Sequence, residues 1–381
     1  MNLDHAQALL GGLSAAQFMR RHWHKAPLLV RQALAAAAPP VTRTQMFALA
    51  ARDDVESRLI TRDPAARWQL RHGPLSRRAL PPLAQPGWTL LVQGLDLHVD
   101  AAHELMSRFR FVPAARLDDL MLSYASDGGG VGPHIDSYDV FLLQVQGRRR
   151  WRFARAAGDA ALRDDVPLKM LANFSPQHDA VLDPGDMLYL PPGWAHDGTA
   201  VGGDCMTASI GFRAPRADEL AQALLFRLAD DAAADVRSPR YRDPSQRASA
   251  APGAVPEALQ HFAVCAVERA ARDAVAIKRI LGEWLTEPKA QVWFEAGAVQ
   301  SVRDAKGGVQ LDRRTRMAYD VRHIFINGES LRAGGRDAQL MRRLADERRL
   351  DAQAMRRASA AARSQLDEWL ANGWLQAVPC G

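Results

Sequence analysis

Between Trp88 and Pro215 the chain is written as short apolar and β-branched runs cut apart by glycine, proline and aspartate. WTLLVQGL, LMLSYAS, DVFLLQVQG, RRRWRF, DMLYLPP and CMTASIGF follow one another, and GFRAP at 211–215 closes the series. Many short strands at that spacing predict a sandwich or barrel. Ahead of it, short helical patterns alternate with proline breaks such as APP at 38–40 and LPPL at 80–83. A chain of 381 residues, 48% of them hydrophobic, exceeds what one core organises, so further domains are expected.

They follow directly. RADELAQALLFRLADDAAADV places Leu220, Leu224 and Leu228 at helical intervals, with Leu225 and Phe226 widening the stripe into an amphipathic helix. A polar, proline-containing stretch, RSPRYRDPSQRASAAPGAVP, separates it from a second helical run, EALQHFAVCAVERAARDAVAIKRILGEWL. The remainder reads as a small α+β unit. VWFEA and DVRHIFING are expected strands, Asn327-Gly328 a turn, and RDAQLMRRLADERRL and MRRASAAARSQLDEWLANG expected helices, the last ending at Gly373. Helices with a small sheet suit a winged-helix arrangement.

The net charge of +6 and pI near 9.5 are spread along the chain, which fits a moderately basic enzyme better than a concentrated nucleic-acid surface. Cys205, Cys265 and Cys380 are too few and too scattered for a disulfide framework or a cysteine zinc site, so a reducing compartment is expected. The first residues lack a basic stretch and a sustained apolar stretch, which argues against a secretory signal. No apolar run reaches the roughly 20 residues of a membrane-spanning helix. The expectation is a cytoplasmic protein with no membrane association.

Within the β-rich section lies GPHIDSYDVFLLQVQGRRRWRF, at 132–153. On a strand, His134 and Asp136 point to the same side. A third ligand should come from a neighbouring strand, and DPGDMLYLPPGWAHDG supplies His196 after a turn at PPGW. Two histidines and a carboxylate form a facial triad that leaves three positions of an octahedral metal open, as a metal that binds both a co-substrate and oxygen requires. A second pair, His98-Val99-Asp100, precedes AAHELMSRF, so Asp100 reads as a helix N-cap and His98 as a surface residue. GGGVGP lacks the Lys-Ser/Thr of a phosphate loop and no helix follows it; close backbone approach near the metal is the better use for its glycines.

In GRRRWRF, Trp151 and Phe153 should face inward, which puts Arg149 on the same face while Arg148, Arg150 and Arg152 face outward. A buried guanidinium needs an anionic partner. That partner is either a protein carboxylate or the far carboxylate of a 2-oxo acid bound to the metal.

GGGVGPHIDSYDVFLLQVQGRRRWRF, DPGDMLYLPPGWAH, SIGFRAP and the amino-terminal HWHKAPLLVR closely resemble the bacterial ribosomal oxygenases, the cupin-like branch of the Jumonji-C 2-oxoglutarate oxygenases. The resemblance implies an α+β chain with a double-stranded β-helix (jelly-roll, cupin) core. Residues 1–213 would be the oxygenase domain, with the barrel at about 88–213, residues 214–277 a helical dimerisation region and residues 278–381 a winged-helix-like domain. It further implies a homodimer that hydroxylates C3 of an arginine in a large-subunit ribosomal protein with Fe(II), 2-oxoglutarate and molecular oxygen. His134, Asp136 and His196 would hold Fe(II), and Arg149 the C5 carboxylate of 2-oxoglutarate, with Ser123 and Thr207 as polar neighbours. Thr207 departs from the family, where an asparagine is expected.

A basic target calls for acidic or aromatic groups at the barrel mouth. Tyr138, on the pleat of His134 and Asp136, is a candidate wall; Asp127 and Asp139 are further possibilities, and Trp194 either lines the rim or supports the turn. Two rival readings stay open. Another type of cupin metalloenzyme would keep the triad but have no use for Arg149 facing inward. A non-catalytic ribosome- or nucleic-acid-binding factor would use the tail, yet Asp346 and Glu347 interrupt the arginines of MRRLADERRL, and direct DNA binding is not expected.

Overall fold

The computed structural model describes residues 3–35, 37–63, 65, 67–156, 161–234, 238–248, 251–297 and 301–379, so Cys380 lies outside the described residues. The chain divides into two compact units, Met1–Ala214 and Pro215–Gly381. The first holds α1 (Ala15–Arg21), β1 (Leu28–Val30), α2 (Arg43–Ala50), β2 (Ser57–Arg62), β3 (Trp68–His72), β4 (Trp88–Val92), α3 (Asp100–Ser107) and β5 (Leu117–Ala125). It continues with β6 (His134–Ile135), β7 (Val140–Arg155), β8 (His178–Leu182), β9 (Met187–Leu190) and β10 (Trp194–Phe212).

These strands form one antiparallel sheet in the order β1-β9-β7-β10-β5-β4-β2-β3, with β6 added on β10 and β8 on β7. Its frame is two long strands paired along most of their length, β7 and β10. The amino-terminal half of β7 pairs with β9 and its carboxy-terminal half with β8. β10 likewise pairs first with β6 and then with β5. Long strands that change partners midway fold a sheet over on itself, and the result is the double-stranded β-helix. DVFLLQVQG and RRRWRF, two runs in the sequence, are thus one strand: Gly147, at φ +62°, provides a kink without ending the pairing.

Pleat parity decides what each β7 side chain touches. Phe141, Leu143 and Val145 face a large core with Phe18, Phe109, Tyr189 and Phe212, in which Phe18 of α1 stands 4.9 Å from Tyr189 and 5.4 Å from Phe141. Val140, Leu142, Trp151 and Phe153 face the other way, with Leu182, Leu188 and Leu190. Full burial of each such side chain contributes about 2–3 kcal/mol. Arg150 and Arg152 point outward and pair with Asp179 and Asp197.

The second unit holds α4 (Ala217–Ala234), α5 (Glu257–Ala271), α6 (Ala274–Thr286), β11 (Val309–Leu311), β12 (Met317–Tyr319), β13 (His323–Ile326) and β14 (Glu329–Arg332). α7 (Gly335–Glu347), β15 (Arg349–Leu350), α8 (Ala352–Arg356), α9 (Ala360–Ala371) and β16 (Leu375–Ala377) complete it. Its two small sheets run β15-β11-β16 and β12-β13-β14 around a core with Leu344, Leu350, Leu366, Trp369 and Leu375. The Asn327-Gly328 turn joins β13 to β14 with both residues at positive φ, as a tight hairpin requires.

Several local expectations differ from the structure. VWFEA is not a strand. The second helical run is two helices, because the Asp273 side chain caps a new start by accepting from the backbone N–H groups of Val275 and Ala276. The final helical segment breaks in the same way at Ser359, and α9 ends at Ala371, short of Gly373. Asp100 is the first residue of α3, not its N-cap; Val99 holds that position.

Candidate metal centre

β6 and β10 pair so that His134 and His196 are direct cross-strand neighbours. Their rings stand 4.2 Å apart between centroids. Asp136, two residues on, returns to the same side: its Oδ2 lies 3.6 Å from His196 Nε2 and its Oδ1 4.0 Å from His134 Nε2. The three ligand atoms fall within 4.8 Å of one another, the only such cluster of His, Cys, Asp or Glu among the described residues.

Both imidazoles are held by backbone carbonyls. His134 Nδ1 donates to the Gly132 carbonyl at 2.9 Å and His196 Nδ1 to that of Trp194 at 3.0 Å. A carbonyl only accepts, so the proton sits on Nδ1 and the Nε2 lone pair of each neutral ring is left for a metal. Burial, followed by the neighbouring His134, pushes the pKa of His196 down to about 4, against the opposing pull of Asp136. The ring is therefore neutral at pH 7, the ligating form.

Arg149 faces inward as its pleat dictates and is 3% exposed. Its Nη1 reaches the Gly198 carbonyl and its Nη2 the Ser123 hydroxyl, both at 3.4 Å, while Nε has no partner. No carboxylate among the described residues pairs with it. A buried guanidinium with two long hydrogen bonds is costly unless an anion completes it.

Below it, Ser123 and Thr207 are joined across β5 and β10, the Ser123 hydroxyl donating to the Thr207 carbonyl at 3.2 Å. The Thr207 hydroxyl donates to Gln144 Oε1 at 2.8 Å. Gln144 is fixed in that orientation because its Nε2 donates to the carbonyls of Gln146 and Gly147, at 2.8 and 3.1 Å. Both hydroxyl protons thus point away from the cavity, and the floor offers lone pairs. Sequence reading missed Gln144; only its parity with Leu142 could have signalled it.

His134, Asp136, His196, Arg149, Ser123 and Thr207 all line one cavity of about 470 Å³. Asp118, Asp119 and Tyr138 line it too, as do Arg58 and Lys169. Asp119 is held by Gln93 Nε2 at 2.6 Å and the Gly94 N–H at 3.0 Å, and Gln93 accepts from Arg58 at 2.8 Å. Burial and the nearby Asp136 push the Tyr138 phenol up, keeping it protonated. The other candidates go elsewhere. Asp127 accepts from the Gly202 N–H, and Asp139 is buried against Tyr189 and His24. Trp194 packs its ring on Phe153 and His178, so its part is to support the turn and lend its carbonyl to His196.

Residues 104–220 match the JmjC domain family and residues 269–376 the ROXA-like winged helix. The ribosomal protein uL16 3-hydroxylase of Escherichia coli (strain K12) is 38% identical over 55% of this chain and 55% of its own length. The chain spans about half the length of the curated relatives it matches. The crystal structure of E. coli ycfD superposes with a TM-score of 0.83 at 27% identity, over 95% of this chain and 98% of that one. That of YcfD, a ribosomal oxygenase from Escherichia coli, in complex with cobalt and 2-oxoglutarate superposes at 0.79 with 28% identity, over 95% of this chain and 98% of that one. Residues 104–220 therefore match a JmjC domain, and the chain resembles the bacterial ribosomal oxygenases through both of its units.

Proposed function

We propose that this chain is an Fe(II)- and 2-oxoglutarate-dependent protein hydroxylase that acts at C3 of an arginine in a large-subunit ribosomal protein. One observation carries the reading: a buried guanidinium, Arg149, with no carboxylate partner among the described residues, shares a cavity with the His134, Asp136 and His196 donors. A dicarboxylic oxo acid bound at one end by a metal and at the other by a cation fits that arrangement. The E. coli relative's complex with cobalt and 2-oxoglutarate supports it. Bound there, Fe(II) and 2-oxoglutarate supply the oxidation of an unactivated C–H bond by molecular oxygen, with succinate and carbon dioxide released.

The chain's own residues do the positioning. His134, Asp136 and His196 would hold three positions of the metal. Arg149 would clasp the far carboxylate, with Ser123 accepting one of its N–H groups. Since the Thr207 hydroxyl donates to Gln144, it orients this floor instead of donating to the carboxylate. The carboxylates of Asp118 and Asp119 and the Tyr138 ring suit an incoming guanidinium. The test is to incubate the protein with Fe(II), 2-oxoglutarate and large-subunit ribosomal proteins. Succinate should form and one protein should gain a single oxygen on an arginine; no such gain on any of them overturns the reading.

The same proposal assigns residues 1–213 to the oxygenase domain, 214–277 to a dimerisation region and 278–381 to a winged-helix-like domain. Leu225 and Phe226 on α4 are 55% and 65% exposed, and Val264 and Val267 on α5 are 55% and 69% exposed, an apolar surface suited to a second copy. Phe226→Asp is expected to convert a dimer into a monomer, read by sedimentation at micromolar concentration. Among the described residues no helix is long and apolar enough to cross a membrane, and the proposed action on a ribosomal protein supports a cytoplasmic location as part of the same proposal. We expect no direct DNA binding, because Arg343 on α7 pairs with Glu347 and Asp351, and Arg342 lies over Tyr319.

A further inference from the structure

Next to the metal ligands lies an element that none of the roles above uses. Residues 161–172 form a strap closed on itself: Leu162 and Leu171 pair as an isolated bridge, and the Arg163 N–H donates to the Met170 carbonyl at 2.8 Å. It is fastened to the two residues that lead into His134. The Leu171 N–H donates to the Pro133 carbonyl at 2.8 Å. Met170, 3% exposed, lays its thioether tip on Gly132 so closely that a Cβ there would stand 2.3 Å from Met170 Cε. Gly132 is at φ +77°, and its carbonyl is the group that accepts from His134 Nδ1.

We infer that Met170 is a positioning residue for His134, acting through the Gly132 carbonyl. The carbonyl fixes the tautomer and the plane of the imidazole; the methionine and the Leu171–Pro133 hydrogen bond fix the carbonyl. Loss of a group that orients a ligating histidine typically costs about 10–100-fold in metal affinity. The strap also reaches the cavity, since Leu168 and Lys169 line it. A target peptide pressing on that wall and a metal pulling on His134 therefore act on one element, and any effect of one on the affinity of the other is returned by the same factor.

The inference rests on reading His134, Asp136 and His196 as a metal centre, and the experiment separates the two. Co(II) is titrated into the whole protein and followed by visible absorption, for the wild type, Met170→Ala, Met170→Leu and His196→Ala. Met170→Ala is expected to bind Co(II) about tenfold more weakly. Met170→Leu, which conserves volume, should recover most of the loss. A folded Met170→Ala protein that binds Co(II) as the wild type does overturns the inference. Should that variant not fold by near-ultraviolet circular dichroism, Met170→Val, which shortens the side chain without emptying the site, is read by the same criterion. A wild type whose Co(II) binding ignores His196→Ala overturns the metal centre and this inference with it.

Discussion

Asp136→Glu is expected to abolish hydroxylation and to weaken Co(II) binding by more than about 100-fold, although charge and chemistry are unchanged. Asp136 lies just past the end of β6, with its two oxygens facing the two Nε2 atoms at 3.6 and 4.0 Å. The added methylene pushes the carboxylate into the space a metal needs. Both histidines cannot retreat, because each is tied through Nδ1 to a carbonyl of its own strand region. Misplacement by about 1 Å at a reacting centre costs on the order of 100-fold in rate. His196→Ala, which removes a 2%-exposed ligand outright, should be at least as severe. Absorption titration and succinate release read the two effects separately. An Asp136→Glu protein with wild-type turnover would remove the carboxylate from the centre.

The centre was legible for a simple reason: strand periodicity of two converts HxD spacing into a shared face, and a turn followed by a strand can present His196 opposite. The same parity placed Arg149 inside. What stayed hidden depends on partners far apart in the chain. That DVFLLQVQG and RRRWRF are one strand follows from pairing with β10 on both sides of Gly147, where the register shifts and then resumes. Gln144 matters only because Thr207 lies opposite it, with matching register set by the bulge near Met206. The helix breaks at Asp273 and Ser359 have a local signal in capping side chains, masked in the sequence by apolar periodicity that continues past them. VWFEA has the composition of a strand but no partner, and without a partner β propensity does not make one. The strap at 161–172 has no periodicity; its meaning comes from what it lies upon.

Arg149→Met is expected to act in opposite directions on binding and on stability, and that pair of effects separates a ligand-binding arginine from a structural one. Without a bound dicarboxylate the guanidinium is buried, with Nε unpartnered and no carboxylate beside it among the described residues. Replacing an unpaired buried charge by an apolar side chain of similar length removes a desolvation cost; apolar replacement of whole buried ion pairs is neutral or stabilises by about 1–4 kcal/mol, and an unpaired charge should follow the same direction. The variant should therefore melt higher than the wild type when metal is present and 2-oxoglutarate absent. Adding 2-oxoglutarate raises the wild type far more than the variant, narrowing or reversing the gap. Losing one partner of a buried charged pair costs about 2–5 kcal/mol of binding, so affinity should fall by roughly 30-fold to several thousand-fold. Ligand at about 100 times its dissociation constant stabilises the wild type by about 2.7 kcal/mol and leaves the variant nearly unmoved. A structural arginine would give the contrary pattern: a lower melting temperature for Arg149→Met in both conditions and no change in 2-oxoglutarate affinity. In that case the anion that Arg149 awaits is not the co-substrate, because only a group that arrives with the ligand can make the same guanidinium a burden before binding and an anchor after it.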